Sequence, residues 1–150
     1  MGIFDIFKTK TANDYYMIAV KSFESDYSKA MLNLDKAIQL EPHNAYLYYT
    51  RGTMNKIKLN YKEAIPDLEK SLELKIGTIT FNKQITEFNP AEAHFNLGLS
   101  RFHTNDNKGA LKEAKKAKKL GYENPGLDDL FWYIEEVEEI GYDEFMKRWD

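Results

Sequence analysis

Cysteine is absent from the 150-residue sequence, and its absence excludes several classes of protein. A chain without thiols has no disulfide framework, no thiolate nucleophile and no zinc or iron–sulfur site built on cysteine. Long apolar runs are missing as well. The longest, Tyr15 to Val20, has six residues, far too few for a membrane span or for the core of a signal peptide. We therefore expect a cytoplasmic protein with no membrane-spanning helix.

Catalytic signatures are also scarce. The sequence has no phosphate-binding loop and no GxGxxG, HExxH or GxSxG motif. His94 and His103 are nine residues apart, which places them on opposite sides of one helix and prevents joint metal ligation. We therefore predict a noncatalytic protein with no cofactor and no bound metal. An enzyme whose site leaves no motif stays the weakest alternative.

Nucleic acid is not a favoured partner, because the net charge is −3. The charges are unevenly divided along the chain. Residues 91–120 carry seven basic and three acidic groups, whereas residues 121–150 carry ten acidic and two basic groups. We interpret these as neighbouring segments that pack with complementary faces, in preference to a patch that binds polyanions.

Three segments follow one helical pattern. In each, small and apolar residues recur at intervals of four, three and three, which places them on one face of a helix. They are Ala30, Leu34, Ala37 and Leu40 in the first segment, Ala64, Leu68, Ser71 and Leu74 in the second, and Ala110, Ala114, Ala117 and Leu120 in the third. A second amphipathic stretch precedes each segment, at about 14–23, 45–58 and 91–104, so the repeating unit is helix, turn, helix. Asp26, Asn60 and Asp106 stand where a short polar side chain would cap the second helix.

These units resemble tetratricopeptide repeats. Ala30 and Ala64 are 34 residues apart, which is the period of that family. Leu97 and Gly98 match the Leu-Gly pair of the family's first helix, and Gly52 matches its glycine. The resemblance covers about 110 residues, from Thr11 to Tyr122, and implies an all-α, right-handed superhelix of three helix-turn-helix repeats with a C-terminal capping helix.

The resemblance also divides the chain. It implies a single domain over 1–150, with an N-terminal segment (1–10), repeat one (11–44), repeat two (45–76), an insertion (77–90), repeat three (91–122), and a capping helix with tail (123–150). The insertion follows from spacing, because Gly52 and Gly98 are 46 residues apart instead of 34. We weigh two interpretations of it equally: a loop that contacts a partner, and a spacer packed on its own scaffold.

One charged residue stands in an apolar slot of repeat two. Arg51 occupies a position where the family has leucine. A buried, unpaired arginine would be costly, so we expect Arg51 to pair with an acid such as Asp67 on the partner helix, or to extend to water.

The two ends of the chain show short apolar patterns. The predicted capping helix carries apolar residues at helical spacing, namely Leu127, Leu130, Phe131, Ile134 and Val137. At the other end, Ile3, Phe4, Ile6 and Phe7 lie on one side of a potential two-turn helix. Eight residues cannot hold a helix alone, so we expect this segment to dock on the scaffold, on a partner chain or on a membrane surface, or to stay loose.

The resemblance further implies that the first helices line a concave groove. By the family's register, the predicted partner-binding residues are Tyr15, Tyr16, Phe23, Tyr46, Tyr49, Thr53, Ile57, Phe95, Asn96, Leu99, Phe102 and His103. So many aromatic rings are typical of binding hot spots, because each buries a large area at little entropic cost. The alternative is that several rings fill the core between helices, or that one end of the chain fills the groove.

A carboxylate clamp is one specialised activity of the family. Its slots here hold Tyr15, Ala19, Thr50, Glu92 and Asn96. Because Glu92 would repel a carboxylate, we expect no clamp activity.

We therefore predict a noncatalytic scaffold or adaptor module that binds a protein or peptide in an aromatic concave groove. The alternative is a dedicated secretion chaperone or toxin-neutralising protein with one tight partner. Whether the chain forms a homo-oligomer stays open.

Overall fold

Helix pairs in series, interrupted by one hairpin, make up the protein. The computed structural model describes residues 9–81 and 83–148. The helices are α1 Ala12–Ser22, α2 Tyr27–Leu40, α3 Ala45–Ile57, α4 Tyr61–Leu74, α5 Pro90–His103, α6 Asn107–Lys119, α7 Pro125–Ile140 and α8 Tyr142–Lys147, and the strands are β1 Thr78–Phe81 and β2 Gln84–Glu87. The short helix predicted from Ile3, Phe4, Ile6 and Phe7 lies outside the described residues. None of the described helices is long and apolar enough to cross a membrane.

Each pair is held together by small residues at the predicted positions. Ala30, Ala64 and Ala110 are completely buried. Gly52 shows why a side chain would not fit: a Cβ placed there would lie 2.9 Å from Leu68 Cγ and 3.1 Å from the backbone oxygen of Ala64. The repeat pattern therefore marks the contacts at which the helix backbones approach most closely.

The predicted helix caps are confirmed in two repeats and wrong in one. Asp26 and Asp106 each accept a hydrogen bond from the backbone N–H three residues later, at 2.9 Å in both cases. In the described part of the chain, the side chain of Asn60 caps no N–H of its helix. Asn60 instead donates to the hydroxyl of Tyr27, at 3.2 Å. That hydroxyl donates in turn to Asn55, so the amide of Asn60 joins repeats one and two.

Arg51 pairs as expected. Its Nε and Nη2 donate to the two carboxylate oxygens of Asp67 on α4, at 2.7 and 2.6 Å, and its Nη1 donates to Asp35 on α2 at 2.6 Å. This bidentate contact neutralises the carboxylate of Asp67, whose side chain is nearly buried. One arginine thereby links α2, α3 and α4.

The insertion is a two-stranded antiparallel hairpin, which is the only departure from an all-helical fold among the described residues. Thr78 pairs with Glu87, and Phe81 pairs with Gln84. Ile79 is buried in the core of repeat one. Phe88, which follows β2, is buried against Tyr49. The insertion is therefore packed on its own scaffold, as the second interpretation of it expected.

The C-terminal helices cover repeat three. Leu127, Leu130, Ile134 and Val137 of α7 are buried in one cluster with residues of α5 and α6. Phe131 is only partly buried, and Lys118 of α6 lies over its ring at 5.4 Å. The basic and acidic segments pack together as predicted, although no ion pair joins α6 to α7 in the described part of the chain. Their contact is apolar.

Candidate partner-binding face

The first helices of the repeats, α1, α3 and α5, contact one another side by side. The ring of Tyr16 on α1 meets Tyr46 on α3 edge to face, with centroids 6.0 Å apart, and Tyr46 meets Tyr49 at 5.9 Å. We call this surface the inner face. It consists of Tyr16, Tyr46, Tyr49, Thr53, Lys56, Glu92 and Asn96.

A polar cluster joins α3 to α5 on the inner face. Lys56 Nζ donates to Asn96 Oδ1 at 2.8 Å. The other amide atom of Asn96, Nδ2, lies 3.4 Å from both the Tyr49 hydroxyl and the Thr53 hydroxyl. Burial lowers the pKa of Lys56, and the nearby Glu92 carboxylate offsets part of that effect. These four side chains hold each other in one arrangement and give the face a rigid polar floor.

Glu92 is the negative charge of this surface. It lies in the first turn of α5, one turn before Asn96. Burial, followed by the Glu92 carboxylate, raises the pKa of the Tyr49 hydroxyl. The same two causes raise the pKa of Tyr122, which follows α6. Glu92 therefore lies close to Tyr49 on α3 and within electrostatic reach of Tyr122.

Most of the predicted aromatic rings are buried. Phe102 is 1% exposed, because Tyr133, Tyr142 and Phe145 of α7 and α8 surround its ring at centroid distances of 5.7 to 6.0 Å. Tyr122 covers Phe95 at 5.0 Å. The buried members of the predicted set are Tyr16, Phe23, Tyr49, Phe95, Asn96 and Phe102. The buried aromatic rings pack in the core or beneath the inner face, in line with the alternative interpretation that several rings fill the space between helices.

The remaining predicted residues are at least partly exposed but do not all lie together. Tyr46 and Thr53 belong to the inner face. Tyr15 packs beside α2 instead, where Lys36 Nζ lies 5.6 Å from its ring. The other three are Ile57, at the end of α3, Leu99, against the C-terminal core, and His103. The site that the structure supports is therefore smaller than the predicted groove.

His103 is part of a contact between repeats. Its ring stacks on Tyr61 of α4 at 4.3 Å, and its carbonyl accepts a hydrogen bond from the Tyr142 hydroxyl at 3.1 Å. Burial lowers the pKa of His103. The ring thus stacks flat on α4, while the backbone carbonyl of the same residue contacts α8.

The predicted set omitted Lys56, Glu92 and Tyr122. Lys56 could have been found, because it stands three residues after Thr53 and shares its helix face. Glu92 falls in a groove position by the family's register, as well as in a slot of the carboxylate clamp. No pattern pointed to Tyr122, since it lies after α6 at the last position of the third repeat and reaches Phe95 only because the chain turns back there.

A buried ion cluster lies away from the inner face, between α5 and α6. His94 Nδ1 is 2.6 Å from Glu113 Oε2, and Lys116 donates to both oxygens of Glu113 at 3.1 and 3.3 Å. Burial disfavours the Glu113 carboxylate, but the hydrogen bonds from His94 and Lys116 outweigh burial and lower its pKa. Among the described residues, no three histidine or carboxylate side chains are grouped as a metal site would require.

Comparison with known proteins gives relatives of one kind. No family model matches the sequence. The chain is 28% identical over 80 residues to the DnaJ protein P58IPK homolog A of Oryza sativa, matching 53% of this chain and 17% of that protein. It is 26% identical over 117 residues to a TPR repeat-containing protein of Methanocaldococcus jannaschii, matching 75% of this chain and 18% of that protein. The chain thus spans less than a fifth of the length of these curated relatives.

Solved structures share the fold. The N-terminal domain of the stress-induced protein STI-1 from C. elegans matches 87% of this chain and 99% of that domain, at 19% identity and a TM-score of 0.63. The TPR domain of P58(IPK) matches 85% of this chain and 33% of that chain, at 19% identity and a TM-score of 0.67. The TPR2B domain of yeast Sti1, solved in complex with pHsp70, matches 83% of this chain and 96% of that domain, at 18% identity and a TM-score of 0.66. The resemblance to tetratricopeptide repeats and the superhelical fold are thereby confirmed.

Proposed function

We propose that this tetratricopeptide-repeat protein binds a segment of a partner protein across α1, α3 and α5 and acts without catalysis. The observation that carries the proposal is the inner face itself. Partly exposed polar and aromatic side chains, Tyr46, Thr53 and Glu92, stand on a floor that Tyr49 and Asn96 hold rigid. A preformed surface of this kind loses little entropy when a ligand binds.

The composition of the face supports a peptide ligand. Tyrosine combines a large apolar ring with a hydroxyl, and such side chains are enriched at protein interfaces. The pHsp70 complex of the TPR2B domain of yeast Sti1 is consistent with a peptide-binding role for the fold. The partner differs in chemistry, since Glu92 stands in a slot where a clamp would require a cation.

Two exposed aliphatic side chains allow a matched test of the proposal. Ile57 ends α3 and is 52% exposed, whereas Leu32 lies on the outer helix α2 and is 54% exposed. Replacing either with Asp places a charge at a site of nearly equal exposure, so the two variants should lose similar stability. Ile57 lies one turn beyond Thr53 on the same side of α3, so only Ile57→Asp places a charge beside the inner face.

The measurement is selection of 15-residue peptides from a displayed random library on the immobilised chain, followed by titration of the selected peptides. We expect Ile57→Asp to weaken binding about tenfold or more and Leu32→Asp to leave it unchanged, since a misplaced charge at an interface is costly. Equal binding by both variants and the wild type would place the ligand elsewhere. One tight peptide sequence, instead of a family of weak ones, would favour the dedicated partner over the adaptor.

A further inference from the structure

One carboxylate of the inner face makes no ion pair among the described residues. Glu92 lies in the first turn of α5 and is partly buried. Its side chain is hydrogen-bonded to the Tyr49 hydroxyl, which supplies no charge. A carboxylate without an ion-pair partner on a binding surface attracts a cation from the ligand.

Aromatic side chains flank that carboxylate. The Tyr49 hydroxyl of α3 is hydrogen-bonded to Glu92, and the Tyr49 ring meets that of Tyr46 at 5.9 Å. Phe95, three residues after Glu92 on α5, lies 5.0 Å from the Tyr122 ring. Tyr46 and Tyr122 are both partly exposed, while Tyr49 and the Phe95 ring beneath Tyr122 are buried. The arrangement offers an anion with a partly exposed ring on either side. Such rings attract a cation and also pack against the methylene stem that carries it.

Lys56 does not occupy this position. Its ammonium group donates to Asn96 Oδ1 at 2.8 Å, one helical turn along α5 from Glu92. It lies within electrostatic reach of Glu92 but makes no ion pair with it in the described part of the chain. Lys56 is bonded to Asn96, and Glu92 is hydrogen-bonded to the neutral side chain of Tyr49, so the carboxylate can still pair with a cation from a ligand.

We infer that the inner face binds a partner segment through a lysine or arginine side chain, whose cation pairs with Glu92 and whose stem packs between Tyr46 and Tyr122. This inference rests on the proposed function and specifies the partner: a segment with a basic residue at its centre. An acidic C-terminal tail is excluded for the same reason, since Glu92 would repel it. The cation could also come from the amino terminus of a peptide, and the test separates the two sources.

Three variants of the full chain test the inference. Glu92→Gln removes the charge and keeps the shape. Glu92→Lys reverses the charge. Glu138→Gln makes the same charge change on the exposed side of α7, away from the inner face, and serves as the control. Circular dichroism and the urea unfolding midpoint establish that each variant is folded before binding is measured.

The probes come from the same displayed library of 15-residue peptides. The best peptide selected by the wild type is synthesised with an acetylated amino terminus, with a free amino terminus, and with its shared basic residue replaced by Gln. We expect a common Lys or Arg among the selected peptides. Kd should rise about tenfold when either Glu92 or that basic residue is neutralised, as is typical of a partly buried charge-assisted contact. Neutralising both should add little to either change alone, and Glu138→Gln should bind like the wild type.

The charge-reversed variant supplies a second readout. Glu92→Lys should select peptides with Asp or Glu in place of the basic residue. If the wild-type peptides share no basic residue, or if Glu92→Gln binds them as tightly as the wild type, the inference is overturned and the proposed function stands. If binding requires a free amino terminus and survives loss of the basic side chain, the assignment to a side chain is wrong. If the folded wild type selects no peptide at all, the proposed function fails and the inference with it.

Discussion

Replacing Leu130 with Ala tests whether α7 caps the repeats. Leu130 is 0% exposed and packs with Phe102, Ala110 and Ala114. Its Cδ2 would lie 3.2 Å from a Cβ placed on Gly98, so the side chain fills the space left by that glycine of α5. A smaller residue would leave a cavity at the contact between the cap and repeat three.

The magnitude follows from the atoms removed. Leu→Ala deletes three carbon atoms, and burial contributes about 0.8 kcal/mol for each, or about 2.4 kcal/mol in total. The cavity left in a core that only partly collapses adds a further term, so we expect a loss of about 3 to 4 kcal/mol in the free energy of unfolding. For a chain of this length that corresponds to a fall in Tm of about 6 to 16 °C.

The assay is urea unfolding followed by far-ultraviolet circular dichroism. The matched control is Leu32→Ala, the same chemical change at a helical site that is 54% exposed, where we expect a loss of about 1 kcal/mol or less. If Leu130→Ala is no more destabilising than Leu32→Ala, α7 does not stabilise the repeats and the capping role is refuted.

Two other features yield predictions. In the hairpin, Ile79→Ala should lower the free energy of unfolding by about 2 to 4 kcal/mol, because Ile79 is 5% exposed, whereas Ile85→Ala, at a site that is 72% exposed, should change it by less than about 1 kcal/mol. Equal urea midpoints for the two variants would contradict the packing of the hairpin on α1. The lowered pKa of Glu113 predicts stability that is present above the unfolded carboxyl pKa of about 4.3 and is lost as pH falls through the lower folded value. Urea midpoints measured from pH 7 down to pH 3 should fall less steeply for Glu113→Gln than for the wild type and for Glu138→Gln, and identical slopes would refute the role of the cluster.

The helices of the repeats could be predicted because their information is local. The spacing of Ala30, Leu34 and Ala37 encodes one helix face, whatever packs against it. The partner of Arg51 could also be predicted, since an arginine in an apolar slot requires an acid or water and Asp67 lies on the facing helix. The hydrogen-bond partner of Asn60 could not be predicted. A polar side chain at the start of a helix can cap its own helix or bond to a neighbouring repeat with equal ease.

The binding face was harder to predict for a physical reason. An aromatic residue in a groove slot has the same sequence signature whether solvent or another ring lies above it. Phe102 is buried because α7 and α8 fold back over its ring. Phe95 is buried because Tyr122 covers its ring. Neither covering group belongs to the repeat pattern, so the exposed part of the face could not be read from the repeats.

The sequence by itself therefore determined the repeat architecture, the helix pairs and the close contacts at small residues, because each follows from periodicity within about 34 residues. Only the tertiary structure decided that the insertion is a hairpin anchored by Ile79 and that Glu92 lies beside Tyr49 without an ion pair among the described residues. Those outcomes depend on contacts between segments far apart in the chain. The burial of a side chain and its electrostatic environment are set by such contacts, and a local sequence pattern does not encode them.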